Sequence, residues 1–399
     1  MDVFRKIVND CIRIGIETGI SSMKRLSRFY YRKLRKSHSP DFLPSNYYLT
    51  AISKAAGILA SRKKSIKRGF PTKDPYLRKS LLVSCYQFKV TSTHHLEFSV
   101  RKGEKKILIQ LNKHTIEVIS AQGIEVRSFT ITPDGLSLSI RKKVTSYTPK
   151  SFYGVDRNAS NVTFGNSTRA SQFNLRKIEH IARTTRQIVR SFKRNDVRIR
   201  KKLSLKYGTK RSERVRQIIH HVSKTLVGDA RQNLGAIVFE DIKYLRNLYR
   251  KGNYQGKNFR ARMNSVPWCE IKRQIEYKAA WEGVPVIQLT KGETRGTSKI
   301  CPACGERLQE DRFSKVHYRE LWCEKCGKWR DRDVVAVMNI SYRGWLRFRQ
   351  SKGEAGEAMV QEPNETTMVI LKVDASKLST SRSAPIIAPD EDQTEPVIT

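Results

Sequence analysis

The sequence predicts a multi-domain α+β protein: a basic helical segment, a small β-barrel, and an α/β domain interrupted by a cysteine-rich module. Three observations carry that prediction. Apolar residues recur at helical spacing near the N-terminus, then switch to period two between about residues 80 and 147. From residue 152 onward, short apolar strands alternate with helices. Finally, two CxxC pairs lie just before the last helical stretch.

The first helix is predicted from Phe4, Val8, Ile12 and Ile16, with Val3, Ile7 and Cys11 beside them. Residues 3–36 are as Arg-rich as a transit peptide, but Asp2, Asp10 and Glu17 argue for a packed helix instead. Phe42-Leu43-Pro44-Ser45 reads as a turn, with Ser45 as N-cap of a helix through Ala60. Strands are predicted at Leu81–Val90, Leu96–Val100, Lys106–Leu111, Thr115–Ile119, Val126–Thr132 and Leu136–Ile140. Lys102-Gly103, Gln122-Gly123 and Pro133-Asp134-Gly135 supply turns between them.

Residues 152–166 predict a strand, a short turn and a second strand. Two basic helical stretches follow, the first holding 16 Lys and Arg over residues 176–216 against Glu179, Asp196 and Glu213. Gly235-Ala236-Ile237-Val238-Phe239-Glu240-Asp241 is a buried strand ending in two carboxylates. Residues 241–267 are a basic loop carrying Tyr244, Tyr249, Tyr254 and Phe259. A helix from Trp268 to Trp281, a strand at Val284–Leu289 and a last helix from Asp333 to about Phe348 complete the order. Residues 350–399 are predicted to be a disordered acidic tail, with nine acids from residue 354 against Lys372, Lys377 and Arg382.

The chain's 78 Lys and Arg against 37 Asp and Glu give a net charge of +41 over 399 residues. Such an excess favours a polyanionic partner, nucleic acid first. No apolar run approaches the ~18–20 residues of a membrane span, and no membrane partner is expected. Seven cysteines, an odd number with Cys11, Cys85 and Cys269 scattered, fit a reducing compartment and a cytoplasmic protein.

Cys301-Pro302-Ala303-Cys304-Gly305 and Cys323-Glu324-Lys325-Cys326-Gly327 have the spacing of a structural zinc ribbon. Four thiolates fill a tetrahedron, so this Zn²⁺ holds structure and leaves no open position for chemistry. His317 inside the loop is read as an ordinary polar residue. Carboxylates at the ends of apolar strands stand out in so basic a chain: Asp156, Glu240, and Asp333 beside Asp331. Gathered from distant segments, they suit two Mg²⁺ ions and phosphodiester cleavage. The order of strands, helices and carboxylates suggests an RNase H-like α/β domain.

Several blocks then carry a family resemblance. Gly154-Val155-Asp156-Arg157-Asn158, the strand Ile237-Val238-Phe239-Glu240-Asp241, and Ile275-Glu276-Tyr277-Lys278-Ala279 before Gly283-Val284-Pro285-Val286 resemble the TnpB family. So do Thr297-Ser298-Lys299-Ile300-Cys301-Pro302-Ala303-Cys304-Gly305 and Asp331-Arg332-Asp333-Val334-Val335-Ala336-Val337-Met338-Asn339-Ile340. TnpB proteins are transposon-encoded, RNA-guided DNA endonucleases related to type V CRISPR effectors. The resemblance covers about residues 150–345. It implies a RuvC-like nuclease domain at 151–295 and 330–349, split by a zinc ribbon at 296–329. It places the family's catalytic, magnesium-binding triad on Asp156, Glu240 and Asp333, choosing Asp333 over Asp331. Residues 1–70 correspond to a helical recognition segment and 71–150 to a wedge β-barrel that grips a guide RNA.

Two departures stand against the family pattern. Its chains usually begin with a strand of the wedge barrel, whereas this sequence opens almost at once on a helix. Val334-Val335-Ala336-Val337 also replaces the commoner small, Asn-containing stretch after the Asp. The implied partners are a guide RNA from the mobile element and double-stranded target DNA, in a prokaryotic cytoplasm and on the nucleoid when DNA is bound. A homodimer is left open. The alternatives are an RNA-guided repressor that does not cut, and a guide-free, structure-specific nuclease.

Overall fold

The computed structural model describes residues 1–38, 43–101, 106–192, 197–242, 245–250, 252–310, 319–353 and 366–377. It divides into two compact units, one of residues 144–369 and one of residues 1–143 together with residues from 370 onward.

In the first unit, α1 (Asp2–Glu17), α2 (Met23–Ser37) and α3 (Ser45–Lys67) pack together. The predicted stripe is the buried one: Phe4, Ile7, Val8, Cys11 and Ile12 all face inward. α3 begins at Ser45, but its side chain makes no cap hydrogen bond, and Pro44 takes the N-cap position. The strands are β1 (Leu82–Ser84), β2 (Phe88–Val90), β3 (His95–Phe98) and β4 (Ile107–Gln110), then α4 (Lys113–Ile119), β5 (Ile124–Thr132) and β6 (Gly135–Thr145). They form a four-stranded and a three-stranded sheet, the latter in the order β2-β3-β4. Phe129 joins them, its ring centroid 5.4 Å from Phe88 and 4.9 Å from Phe98.

Two expectations are corrected in this unit. Thr115–Ile119 is helical, because Asn112 accepts the Thr115 amide at 2.8 Å and caps the turn. The β-branched residues there follow a cap rather than their strand preference. The acidic tail is also not wholly without structure. The last described helix runs to Gly353, and residues 366–377 form a strand, the last among the described residues, at the edge of the four-stranded sheet beside β6. Val369, Leu371, Val373 and Ala375 alternate with the exposed Met368, Ile370, Lys372 and Asp374, the period-two pattern of a half-buried strand. Asn112 fixes this strand, donating from its side chain to the Asp374 carbonyl at 2.7 Å and from its amide to Ala375 at 2.8 Å.

The second unit is built on β7 (Ser151–Arg157), β8 (Asn161–Gly165), β9 (Ala170–Asn174), β10 (Gly235–Phe239) and β11 (Val286–Gln288). The sheet order is β11-β10-β7-β8-β9, with β7, β10 and β11 parallel and β8 and β9 antiparallel to their neighbours. Helices α5 (Arg176–Ser191) and α6 (Val197–Gln232) follow β9, and the short α7 (Leu245–Leu248) and α8 (Lys257–Met263) follow β10. α9 (Trp268–Glu282) precedes β11, and the single turn α10 (Lys291–Thr294) comes after it. The cysteine-rich module holds β12 (Gln309–Glu310), β13 (Glu320–Cys323) and β14 (Lys328–Asp331), before α11 (Arg332–Gly353). The strand just described at Thr366–Lys377 is β15.

Both faces of the central strands are covered, which is why they read as unbroken apolar runs. Val155, Ile237 and Phe239 point to α6 and α9, packing with Leu226, Ile271 and Ile275. Phe152, Ala236 and Val238 point the other way and pack with Ile340 and Phe348 of α11. α11 crosses β7 at Gly154, where an added Cβ would lie 2.3 Å from the Val337 carbonyl oxygen and 3.0 Å from Ile340 Cβ. Gly154→Ala is therefore expected to cost about 1–3 kcal/mol by forcing helix and sheet apart. A urea midpoint unchanged from wild type would contradict this close approach.

Candidate functional site

β7 and β10 run side by side with Val155 opposite Phe239, so the next residues, Asp156 and Glu240, emerge together at the sheet's end. α11 brings Asp333 to the same end, and the charges of Glu240 and Asp333 both act on Asp156. Burial, first, and then the Glu240 charge push the Asp156 carboxyl up to about 7. Burial likewise raises Glu240, against the pull of Arg157. The structure thus brings together the three carboxylates singled out in the sequence.

Each is held by a different partner. Asn158 donates its side-chain amide to Asp156 Oδ2 at 2.7 Å. The Arg157 backbone amide donates to Glu240 Oε1 at 3.3 Å, and its guanidinium donates to the Glu240 carbonyl at 3.1 Å. Gln288 of β11 donates to that carbonyl as well, at 2.9 Å. Asn161, at the start of β8, donates to Asp333 Oδ2 at 2.9 Å, and Arg319 also pairs with that oxygen. Asp331 has other work: its Oδ1 accepts the backbone amides of Asp333 and Val334 at 2.8 and 3.0 Å and caps α11.

Arg319 and Asn161 were not singled out in the sequence. Asn161 lies three residues past the Asp156-Arg157-Asn158 motif, and its position opening β8 was the available signal. Arg319 had none. It reaches Asp333 because β13 and β14 pair with Glu320 opposite Asp331, and Arg332 donates its amide to the Arg319 carbonyl at 3.0 Å.

The four cysteines close into a second cluster. The Sγ atoms of Cys301, Cys304, Cys323 and Cys326 lie within 4.8 Å of one another, the group among the described residues able to hold a metal ion at that spacing. Gly305 and Gly327 take positive φ, 77° and 60°, and turn the chain back so that their amides reach the Cys301 and Cys323 carbonyls. Burial opposes ionisation of Cys301, yet the amides of Cys304 and Ala303 draw its thiol down to about 6, while burial pushes Cys323 up to about 12. Four sulfurs this close cannot all ionise without a cation between them, so the donor set fits a thiophilic ion. His317 lies outside the described residues.

The aromatic loop is less uniform than its sequence. Tyr249 is buried, Tyr254 is fully exposed, and Phe259 is partly exposed with Arg262 over its ring; Tyr244 lies outside the described residues. A cavity of about 800 Å³ opens beside Glu240, with Arg157, Trp268, Lys272 and Gln288 in its wall. Among the described residues, no helix is long and apolar enough to cross a membrane.

Comparison with known proteins agrees with this layout. Residues 268–340, from α9 through the cysteine module into α11, match the family described as Cas12f1-like, TNB domain. A TnpB-like protein of Methanocaldococcus jannaschii is 28% identical over 244 residues, covering 59% of this chain and 84% of that protein. InsQ of Escherichia coli, whose name assigns it the role of an RNA-guided DNA endonuclease, is 28% identical over 145 residues, 34% of each chain. Among solved structures, the Cas12f1 chain of an sgRNA–target DNA complex superposes with a TM-score of 0.54 at 14% identity, covering 85% of this chain and 80% of that one. That superposition shows a shared mixed α/β, multi-domain fold. In sequence the chain is thus similar to TnpB-like proteins and, over residues 268–340, to the Cas12f1-like TNB domain.

Proposed function

We propose that this protein is an RNA-guided DNA endonuclease of a mobile element, cutting DNA in a RuvC-like site formed by Asp156, Glu240 and Asp333. The observation that carries the reading is the meeting of these three carboxylates at one end of a five-stranded sheet. Its order, β11-β10-β7-β8-β9 with β7, β10 and β11 parallel and β8 antiparallel to both β7 and β9, supports an RNase H-like domain. The relatives' printed roles support the guide RNA and DNA as partners.

Asp156 and Glu240 repel one another in a buried setting, a donor set that fits Mg²⁺. Asp156, Glu240 and Asp333 would hold such ions, which would supply water activation and charge stabilisation for phosphodiester cleavage. The chain's own residues do the positioning. Asn158 and Asn161 orient Asp156 and Asp333, while Arg157 and Gln288 fix the backbone of Glu240. The cysteine module is read as a structural zinc ribbon at residues 296–329. Residues 1–70 are assigned to recognition and 71–150, with β15, to the guide RNA grip.

Sequencing the RNA that co-purifies with the protein tests the reading. One defined species is expected, and the protein programmed with it should cut a plasmid bearing the matching target, whereas Asp156→Ala should not. Random RNA fragments would speak for a guide-free nuclease, and specific binding without cutting by wild type would speak for a repressor.

A further inference from the structure

β8 carries a polar pair on the face that holds the carboxylates. Asn161 and Thr163 alternate along the strand with Val162 and Phe164, which pack into the core shared with α6 and α9. The polar pair therefore lies on the opposite face, against α11. Thr163 stands directly across from Asp156 in the β7–β8 register, and Asn161 donates Nδ2 to Asp333 Oδ2 at 2.9 Å. Thr163 is fully buried and Asn161 is 5% exposed, yet Thr163 Oγ1 and Asn161 Oδ1 find no hydrogen-bond partner among the described residues.

Such oxygens are costly. A hydroxyl taken out of water without a new hydrogen bond destabilises a fold, and valine would fill the same space without that cost. The Asn161 amide gains nothing by turning over, because its oxygen would then face the Asp333 carboxylate. Each unpartnered atom belongs to a residue tied to a different carboxylate, Thr163 to Asp156 by register and Asn161 to Asp333 by its hydrogen bond. A hydrated cation between those carboxylates would use the neutral oxygens and the charged ones together.

We propose that Thr163 Oγ1 and Asn161 Oδ1 are neutral oxygen partners of the hydrated divalent ion at Asp156 and Asp333, which makes Thr163 a positioning residue of the cutting site. The proposal rests on the endonuclease reading above, with its divalent ions. Mg²⁺ takes oxygen donors and sheds its water reluctantly, so a few carboxylates hold it together with groups that accept from the water it keeps. Partners of this outer kind set affinity without changing the charge of the site. Neutral oxygens suit the place, since a further carboxylate would add repulsion where the charges of Glu240 and Asp333 already act on Asp156.

The test titrates Mn²⁺ into the full-length, RNA-loaded protein and reads the loss of the free-Mn²⁺ electron paramagnetic resonance signal. Asp156→Asn, measured alongside, subtracts the ions held by RNA. Thr163→Val keeps the shape of the side chain without its hydroxyl and is expected to weaken the Asp156-dependent binding about tenfold. Thr163→Ser keeps the hydroxyl and should stay within about threefold of wild type. In EDTA the Val variant should unfold at a higher urea concentration than wild type, because the unpartnered hydroxyl is gone. Equal Mn²⁺ affinity in wild type and the Val variant would overturn the proposal. So would equal losses in the Val and Ser variants, which would trace the effect to packing. A lower urea midpoint for the Val variant would overturn it too, by showing the hydroxyl satisfied in the metal-free chain. If wild type and Asp156→Asn take up Mn²⁺ alike, the endonuclease reading falls and the proposal with it; a difference there, with none at Thr163→Val, sinks the proposal alone.

Discussion

Asp156→Asn is expected to abolish cleavage, by on the order of 10³-fold or more, while making the metal-free protein more stable. The loss follows from the loss of a charged ligand at the centre of the carboxylate group. The gain follows from burial. Asp156 titrates near 7 in the folded chain against an ordinary value of 3.8, so the folded state binds its proton more tightly than the unfolded state. Between those values the folded chain holds more protons, and stability falls as pH rises. Below about pH 4 both states are protonated and the penalty vanishes; above about pH 7 it is fully present. Asparagine keeps an oxygen to accept the Asn158 amide and carries no charge. The variant should therefore gain about 1–3 kcal/mol at pH 8 and nothing at pH 4. Urea unfolding at both pH values, without divalent ions, measures it. A variant less stable than wild type at pH 8 would show that Asp156 is satisfied as an anion by its neighbours.

Removing the ion from the cysteine module is expected to be the most damaging change to structure. Structural zinc in small modules contributes on the order of 10 kcal/mol of folding free energy. Here that energy is not confined to the module. Val335 of α11 packs with Cys301, Leu308, Leu321 and Cys323, so the module's core also seats the first turn of the helix that carries Asp333. Cys323→Ser should lower zinc from one per chain toward none and expose residues 296–310 to protease. Cleavage should drop at least about a hundredfold, although the ion does no chemistry. Metal content by mass spectrometry and limited proteolysis report the two effects separately. A zinc-free Cys323→Ser protein that resists protease and cuts at the wild-type rate would remove the structural role.

Much of this was visible in the sequence where one local signal decides the outcome. Ala236–Phe239 read as a buried strand because both of its faces are apolar, and the cysteine pairs read as a cluster because ligand spacing is local. What escaped depends on partners far away in sequence. Arg319 is an ordinary arginine until a hairpin folds it onto Asp333. Thr115–Ile119 has the residues of a strand, and one side chain before it, Asn112, makes it a helix. Tyr249 resembled its aromatic neighbours, yet packing buries it. In the C-terminal stretch, net acidity concealed the alternation from Thr367 to Ala375, where composition and periodicity pointed in opposite directions and periodicity won.

That C-terminal strand has a consequence for how the protein comes into being. The unit holding residues 1–143 is the first to be synthesised, and domains ordinarily fold as they emerge, N-terminal first. Its four-stranded sheet takes its edge from residues 366–377, which reach it only after every other described residue has been made. During translation β6 is therefore an open edge, with unpaired backbone groups exposed to whatever strand arrives first. Asn112 waits with it, since the two carbonyls it will donate to belong to Asp374 and Ala375. The first unit to be made is the last to be finished, and a ribosome stalled after α11 would hold a chain with Asp156, Glu240 and Asp333 all made and its N-terminal sheet still open.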